Sequence, residues 1–271
     1  ARGSHEVNPA RSARRIVSVV PDSVAAELGI CPGDELLEIN GQVVKDVFDY
    51  RLAILESELR LVFRRANGEF CEAVVTKAEE EDIGLEFAEA MMDDPLFCHN
   101  RCLFCFIDQL PPGMRETLYF KDDDMRLSFL SGNYITLTNM KDAELDRLIA
   151  YHLSPMNVSV HTTNPDLRKK MLHNRFAVRI MEQLRRIAAA GIEINVQIVL
   201  IPGVNDGAEL DRTLEDLAGL GESLQSVAVV PVGLTRYREE LKLPHIEPVG
   251  RAVSATLLDQ TVQWQKTFLE R

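Results

Sequence analysis

The chain has 271 residues, 46% of them hydrophobic, with 42 acidic against 30 basic side chains and a formal net charge of -12. That is enough apolar material for one large and one small domain. The acidic balance disfavours nucleic acid and anionic membrane as partners, because both select a basic surface. No run approaches the roughly 20 apolar residues of a membrane span and no secretory signal opens the chain, so no membrane association and a cytoplasmic location are expected.

Residues 1–14 show no periodicity, and Gly3-Ser4-His5 reads as an expression-vector scar, so this segment is taken as a tag or leader. From Ile16 the pattern is short strands and turns. Ile16–Val20 is β-branched, Glu35–Ile39 runs into Asn40-Gly41, and Leu59, Leu61 and Phe63 alternate before Asn67-Gly68. Asn-Gly between apolar runs predicts hairpins whose two turn positions both take positive φ. The stretch PDSVAAELGICPGDELLEINGQVV, Pro21 to Val44, resembles the PDZ family, with its short helix, Gly-Asp turn and Ile-Asn-Gly strand end in that order. A small β-rich PDZ-like domain is therefore expected over residues 15–90. The resemblance implies a peptide or protein partner captured by strand addition. Gly84-Leu85-Glu86-Phe87 would be the carboxylate-holding loop in permuted order, although Glu86 puts a negative side chain beside the carboxylate. The competing reading is a linker strand that packs this domain on its neighbour.

Beyond Asp93 short apolar runs at Arg126–Leu130, Asn157–Val160, Ile194–Leu200 and Ser226–Val230 alternate with helical stretches, which predicts an α/β fold with a parallel sheet. Asn139 is placed as the cap of a helix starting at Met140, and Asn164-Pro165 as a cap followed by a first-turn proline. Ala177, Ile180, Met181, Leu184, Ile187 and Ala188 share a helical face that Gly191 ends. A last helix starts near Gly250 and uses Val253, Leu257, Trp264 and Phe268.

The segments expected after the five strands are CHNRCLFC, SGN, HTTN, PGVND and PVGLTRYRE. In α/β folds such loops share the carboxyl face and build the site. Cys98, Cys102 and Cys105 are therefore expected to enter a common pocket. An odd cysteine count argues against a disulfide framework. Structural zinc takes four ligands, and His99 is badly placed to converge with its neighbour Cys98. Three thiolates on a four-iron cluster leave one iron open to a ligand.

The pattern Cys98-x-x-x-Cys102-x-x-Cys105, with Phe104 before the third cysteine, resembles the radical S-adenosylmethionine (SAM) superfamily. With the PDZ-like start and the strings FCFIDQLPPGMR, LYFKDDDMRLSFLSGNYITLTN and VVPVGLTRYRE, it is similar to a narrower family. Those proteins join PDZ-like and radical SAM domains to a C-terminal domain and are sometimes labelled iron-sulfur oxidoreductases. The resemblance implies a partial (β/α) barrel over residues 91–271, with the family's C-terminal domain outside this chain. It further implies a [4Fe-4S] cluster on Cys98, Cys102 and Cys105, whose open iron takes SAM. Reductive cleavage of SAM would give a 5'-deoxyadenosyl radical that abstracts hydrogen from an unknown substrate. The electron would come from a donor such as a flavodoxin or ferredoxin.

Ser131-Gly132-Asn133 falls at the family's SAM amino-group segment, without its acidic residue. Ser159 and His161 fall at ribose or carboxylate contacts, Gln197, Pro202 and Gly203 along the adenine region, and Phe104 near the adenine. Each has a plainer reading: a strand hydrogen bond for Ser159, a backbone-satisfied neighbour of a helix cap for His161, a turn for Asn133, loop shaping for Pro202-Gly203, core packing for Phe104. Asp122, Asp123 and Asp124 are read as a solvated loop, since adjacent side chains on an extended chain alternate in direction. Arg236-Tyr237-Arg238-Glu239 is either an anion contact or a helix-end charge pattern. Cys31 and Cys71 are given no role. A non-catalytic iron-sulfur or zinc scaffold that recruits a partner through the PDZ-like domain, and an electron carrier indifferent to SAM, are the alternatives to an enzyme.

Overall fold

The computed structural model describes residues 14–270. The leader expected over 1–14 therefore lies, apart from Arg14, outside the described residues. The chain divides between Pro95 and Leu96 into two compact units.

The first unit contains β1 (Ile16–Val19), α1 (Val24–Glu27), β2 (Glu35–Ile39), β3 (Gln42–Val43), α2 (Val47–Ala53), β4 (Glu58–Arg64), β5 (Phe70–Thr76) and β6 (Leu85–Phe87). A four-stranded antiparallel sheet runs β3-β2-β4-β5, and β1 pairs with β6. Strand alternation sends Leu59, Leu61 and Phe63 inward to full burial. The β2–β3 turn has positive φ at both Asn40 and Gly41. At Asn67-Gly68 only Gly68 does, because the loop is longer: Gly68 N bonds Arg65 O and Arg65 N bonds Glu69 O, a turn closed by one left-handed residue. The Gly-Asp turn has its own reason. Buried Asp34 accepts from Cys31 N at 3.0 Å, Ala66 N at 3.1 Å and the Arg65 guanidinium at 2.8 Å.

The second unit has α3 (Met125–Ser131), α4 (Asp142–Ala150), β7 (Met156–Ser159), α5 (Pro165–Leu172), α6 (Ile180–Ala189), β8 (Ile194–Leu200), α7 (Ala208–Ala218), β9 (Leu224–Pro231), α8 (Tyr237–Glu240) and α9 (Arg251–Glu270). Strands β7, β8 and β9 form a parallel sheet in that order. Its helix-side positions, among them Val158, Ile194, Val196, Ile198 and Leu200, are fully buried. In register on the other face stand Ser159 beside Gln197, and Asn157 beside Asn195. That alternation gives the sheet one apolar and one polar face.

Arg126–Leu130 is a helix, correcting the expected strand. A five-residue apolar run fits either element, and the caps decide it here. Asp124 accepts from Arg126 N at 2.9 Å at the start, and Gly132 closes the end at φ 74°. The strand position beside β7 is taken by Ile135, which bridges Val158 in parallel, with Ile135 N bonded to Asn157 O and Ser159 N to Ile135 O. The segment before Cys98 forms only a single antiparallel bridge, Phe97 to Asp122. The helix expected from Met140 starts at Asp142, and Asn139 donates instead to Phe97 O at 2.6 Å. Asn164 does cap α5, with Pro165 in its first turn. The stretch from Ala177 is first a 3-10 turn, Arg175–Arg179, and then α6. Helix α9 buries none of its residues, and Leu258, Val262 and Leu269 stand exposed. No helix among the described residues is long and apolar enough to cross a membrane.

Candidate functional site

The cysteine loop is held from three directions. From α5, Leu172 O accepts from Arg101 N at 3.0 Å and Met171 O from Leu103 N at 2.9 Å. From the segment that leads into α3, Lys121 O accepts from Cys98 N at 2.8 Å. From the segment after β9, the Arg238 guanidinium donates to Leu103 O at 3.1 Å. Below it, Cys102, Leu103 and Phe104 pack on a buried apolar cluster of Met171, Leu172, Ala177, Ile201, Val232 and Ile246. Apolar side chains at 103 and 104 thus anchor the loop, while all three thiols stay half-buried.

The thiols lie within electrostatic reach of one another. Burial, reinforced by Asp123 and Cys105, pushes Cys98 up to about 11. Burial and the two neighbouring thiols push Cys102 higher still, against a favourable pull from Arg168. Cys105 is raised by burial as well. Three mutually repelling, desolvated thiols become stable thiolates only with a cation among them. Among the described residues no three His, Cys, Asp or Glu side chains converge on one metal ion. A multi-iron cluster spreads its thiolates over separate irons, and three cysteines on one loop are a donor set of that kind.

Polar side chains that motif reading overlooked surround this loop. Gln109, fully buried, donates to Cys105 O at 3.1 Å and Gly233 O at 3.2 Å, and accepts from Thr235 N at 3.0 Å. Asn100 donates to Thr136 Oγ1 at 2.9 Å and accepts from Thr138 and Asn174. Asp123 accepts from the backbone and hydroxyl of Thr136 and from the hydroxyl of Thr138. The solvated-loop reading of Asp122–Asp124 is corrected accordingly. Asp123 and Asp124 are buried, Asp124 pairs with Arg126 at 2.7 Å, and Asp122 accepts from Asn133 Nδ2 at 3.0 Å. Alternation does point them different ways, but two of the directions are interior.

Arg168 has no solvent exposure and donates to four carbonyls, those of Val160, Ala177, Thr136 and Ser159, at 2.8 to 2.9 Å. It knots α5, β7 and the Ile135 segment together. His161 is left-handed at φ 65° and buried, and its Nδ1 accepts from Val199 N at 3.1 Å. Burial and nearby Arg168 push its imidazole down to about 3, so the proton sits on Nε2 of a neutral ring. Phe104 packs edge-on against that ring at 4.5 Å. Asn205 donates to His161 O at 2.8 Å and Val199 O at 3.0 Å and accepts from Ile201 N, so the loops after β7 and β8 form one piece. Within the second loop, Gly203 has φ 72° and Gly203 N bonds Asp206.

The structure therefore groups Phe104 with His161, and Ser159 with Gln197, while Pro202 and Gly203 stand on the loop after β8. Ser131-Gly132-Asn133 closes α3 and follows no strand, correcting that premise. The segment at the carboxyl end of the strand beside β7 is Thr136-Leu137-Thr138. Its signal in the sequence is the Ile-Thr-Leu-Thr alternation after Tyr134, masked by the more apolar run before it.

Three thiols on one loop, set against the carboxyl ends of parallel strands, define an α/β protein with a three-cysteine loop at that end of its sheet. A Radical SAM-like domain matches residues 77–227, more than half of the chain, and a PDZ domain matches residues 15–65. The chain belongs to the radical SAM family. A probable GTP 3',8-cyclase of Aeropyrum pernix is 31% identical over 84 residues, which is 31% of this chain and 23% of that relative. The chain thus spans under a quarter of that relative's length.

Proposed function

We propose that the protein is a radical SAM enzyme whose Cys98, Cys102 and Cys105 hold a [4Fe-4S] cluster with one iron left for SAM. The observation that carries this reading is the cysteine loop itself: three thiols, near one another, fastened by backbone bonds to α5 and by side chains to the segment after β9. When bound, the cluster supplies an electron that cleaves SAM to methionine and a radical able to abstract hydrogen from substrate. The chain's own contribution is binding, orientation and exclusion of water.

On this reading Ser159 and Gln197 offer polar groups from one sheet face to the ribose and adenine regions of SAM. Phe104, with His161 behind it, gives an apolar wall, and Pro202-Gly203 shapes the rim. Thr136 to Thr138 takes the amino-group position assigned by pattern to Ser131-Gly132-Asn133. A low-potential donor of flavodoxin or ferredoxin type delivers the electron.

The test is low-temperature EPR of anaerobically reconstituted, dithionite-reduced protein with and without SAM. A reduced-cluster signal that shifts on adding SAM supports the reading. A signal blind to SAM, or zinc in place of iron, overturns it.

A further inference from the structure

Two buried guanidiniums bracket the cysteine loop, and neither touches a carboxylate among the described residues. Arg168 spends its donors on four backbone carbonyls. Arg238, 6% exposed, gives Nη2 to Leu103 O and Pro244 O, while its Nη1 is buried without a partner. Both reach the loop through short links. Arg168 lies one helical turn before Met171, whose carbonyl holds Leu103 N, and Arg238 holds the carbonyl of that same Leu103.

Carbonyl dipoles orient a guanidinium but leave its net charge uncompensated, and uncompensated buried charge is costly. Asp123 answers part of it for Arg168. Burial lowers the Arg238 guanidinium, and its acceptors, Leu103 O and Pro244 O, are both neutral carbonyls. An anionic centre at the loop would supply what is missing.

From this bracket, and resting on the cluster reading above, we infer that Arg168 and Arg238 are positioning residues whose fixed positive charge favours the one-electron-reduced form of the cluster held by Cys98, Cys102 and Cys105. Reduction brings in one electron and no proton, so the site becomes more negative by one charge. Fixed cations beside it raise the potential, in keeping with the dependence of cluster potentials on net charge and hydrogen bonding.

The test is the midpoint potential of the reconstituted full chain, titrated with dithionite through mediators and read by EPR. Arg238→Gln keeps a donor for Leu103 O and removes the charge, Arg238→Lys keeps the charge, and Arg168→Gln is the second neutral variant. Each glutamine variant is expected to reduce about tenfold less favourably, a fall of about 59 mV for one electron. Arg238→Lys should recover most of it. Unshifted glutamine variants on a wild-type background that does carry a cluster overturn this inference alone. A lysine variant that falls as far as the glutamine variant assigns Arg238 a structural role and overturns it too. A wild-type chain that assembles no cluster overturns the functional reading and this inference together.

Discussion

The side-chain amide of Gln109 donates to the carbonyl of Cys105 at 3.1 Å. It fixes the last of the three cysteines to a residue that also grips Gly233 and Thr235, so the metal-side loop and the segment after β9 move as one. Gln109→Leu is similar in volume but leaves two carbonyls and one N–H without their partner in partly buried surroundings. An unpaired buried group costs roughly 1 to 3 kcal/mol and water relieves much of that at partly exposed positions, so a loss of about 2 kcal/mol is expected in urea unfolding of the metal-free chain. Iron retained after reconstitution should fall with it. Unchanged stability would mean that the three bonds carry no weight.

Replacing Cys98, Cys102 or Cys105 singly with Ala should abolish the reduced-cluster signal, whereas Cys31→Ser and Cys71→Ser should leave it intact. Because burial holds the metal-free thiols above their ordinary range, with Cys98 at about 11, loading must displace protons. Cluster yield on reconstitution should therefore rise with pH across the neutral to alkaline range. Iron and sulfide analysis at several pH values checks it, and a flat profile would contradict it.

His161 should dominate part of the acid sensitivity. Its folded-state value is about 3 against 6.5 for the ordinary imidazole, so between those limits the unfolded chain binds the extra proton. The stabilisation is complete above about pH 6.5 and is lost as pH falls through that window, at about 1.4 kcal/mol per pH unit. From pH 7 to pH 5 the wild type should lose about 2 kcal/mol more than His161→Gln, whose side chain can still accept from Val199 N. Parallel pH profiles in urea melts would rule this out.

Gly84→Ala should damage the first unit. The backbone there has φ 84°, and an added Cβ would sit 2.3 Å from the Ser23 Cβ. Strain in the left-handed region plus that clash should cost upwards of about 2 kcal/mol. The Val20 N to Gly84 O bond and the β1–β6 pairing are where it should show, as faster amide exchange at Val20. The same pairing explains why Gly84–Phe87 reads ambiguously in sequence: it is a strand of its own unit, neither a bare loop nor only a linker.

Local order was largely legible from the residues. Three cysteines within eight positions need no partner elsewhere to be noticed, and the alternation in β4, the Asn40-Gly41 turn and the Asn164-Pro165 cap depend on near neighbours. Even the misread Arg126–Leu130 carried its helix signals, Asp124 before it and Gly132 after, outweighed by an apolar run that suits either element. What only the tertiary structure decided is the fate of polar side chains with distant partners. Asp123 looked solvated until Thr136 and Thr138 enclosed it, Gln109, Arg168 and Asn205 gave no pattern of their own, and Arg238 stood out only as part of a charge run. Apolar periodicity is set within a helix or strand, whereas a buried polar group is defined by the one donor or acceptor that reaches it. For Arg238 and Leu103 that partner is 135 residues away.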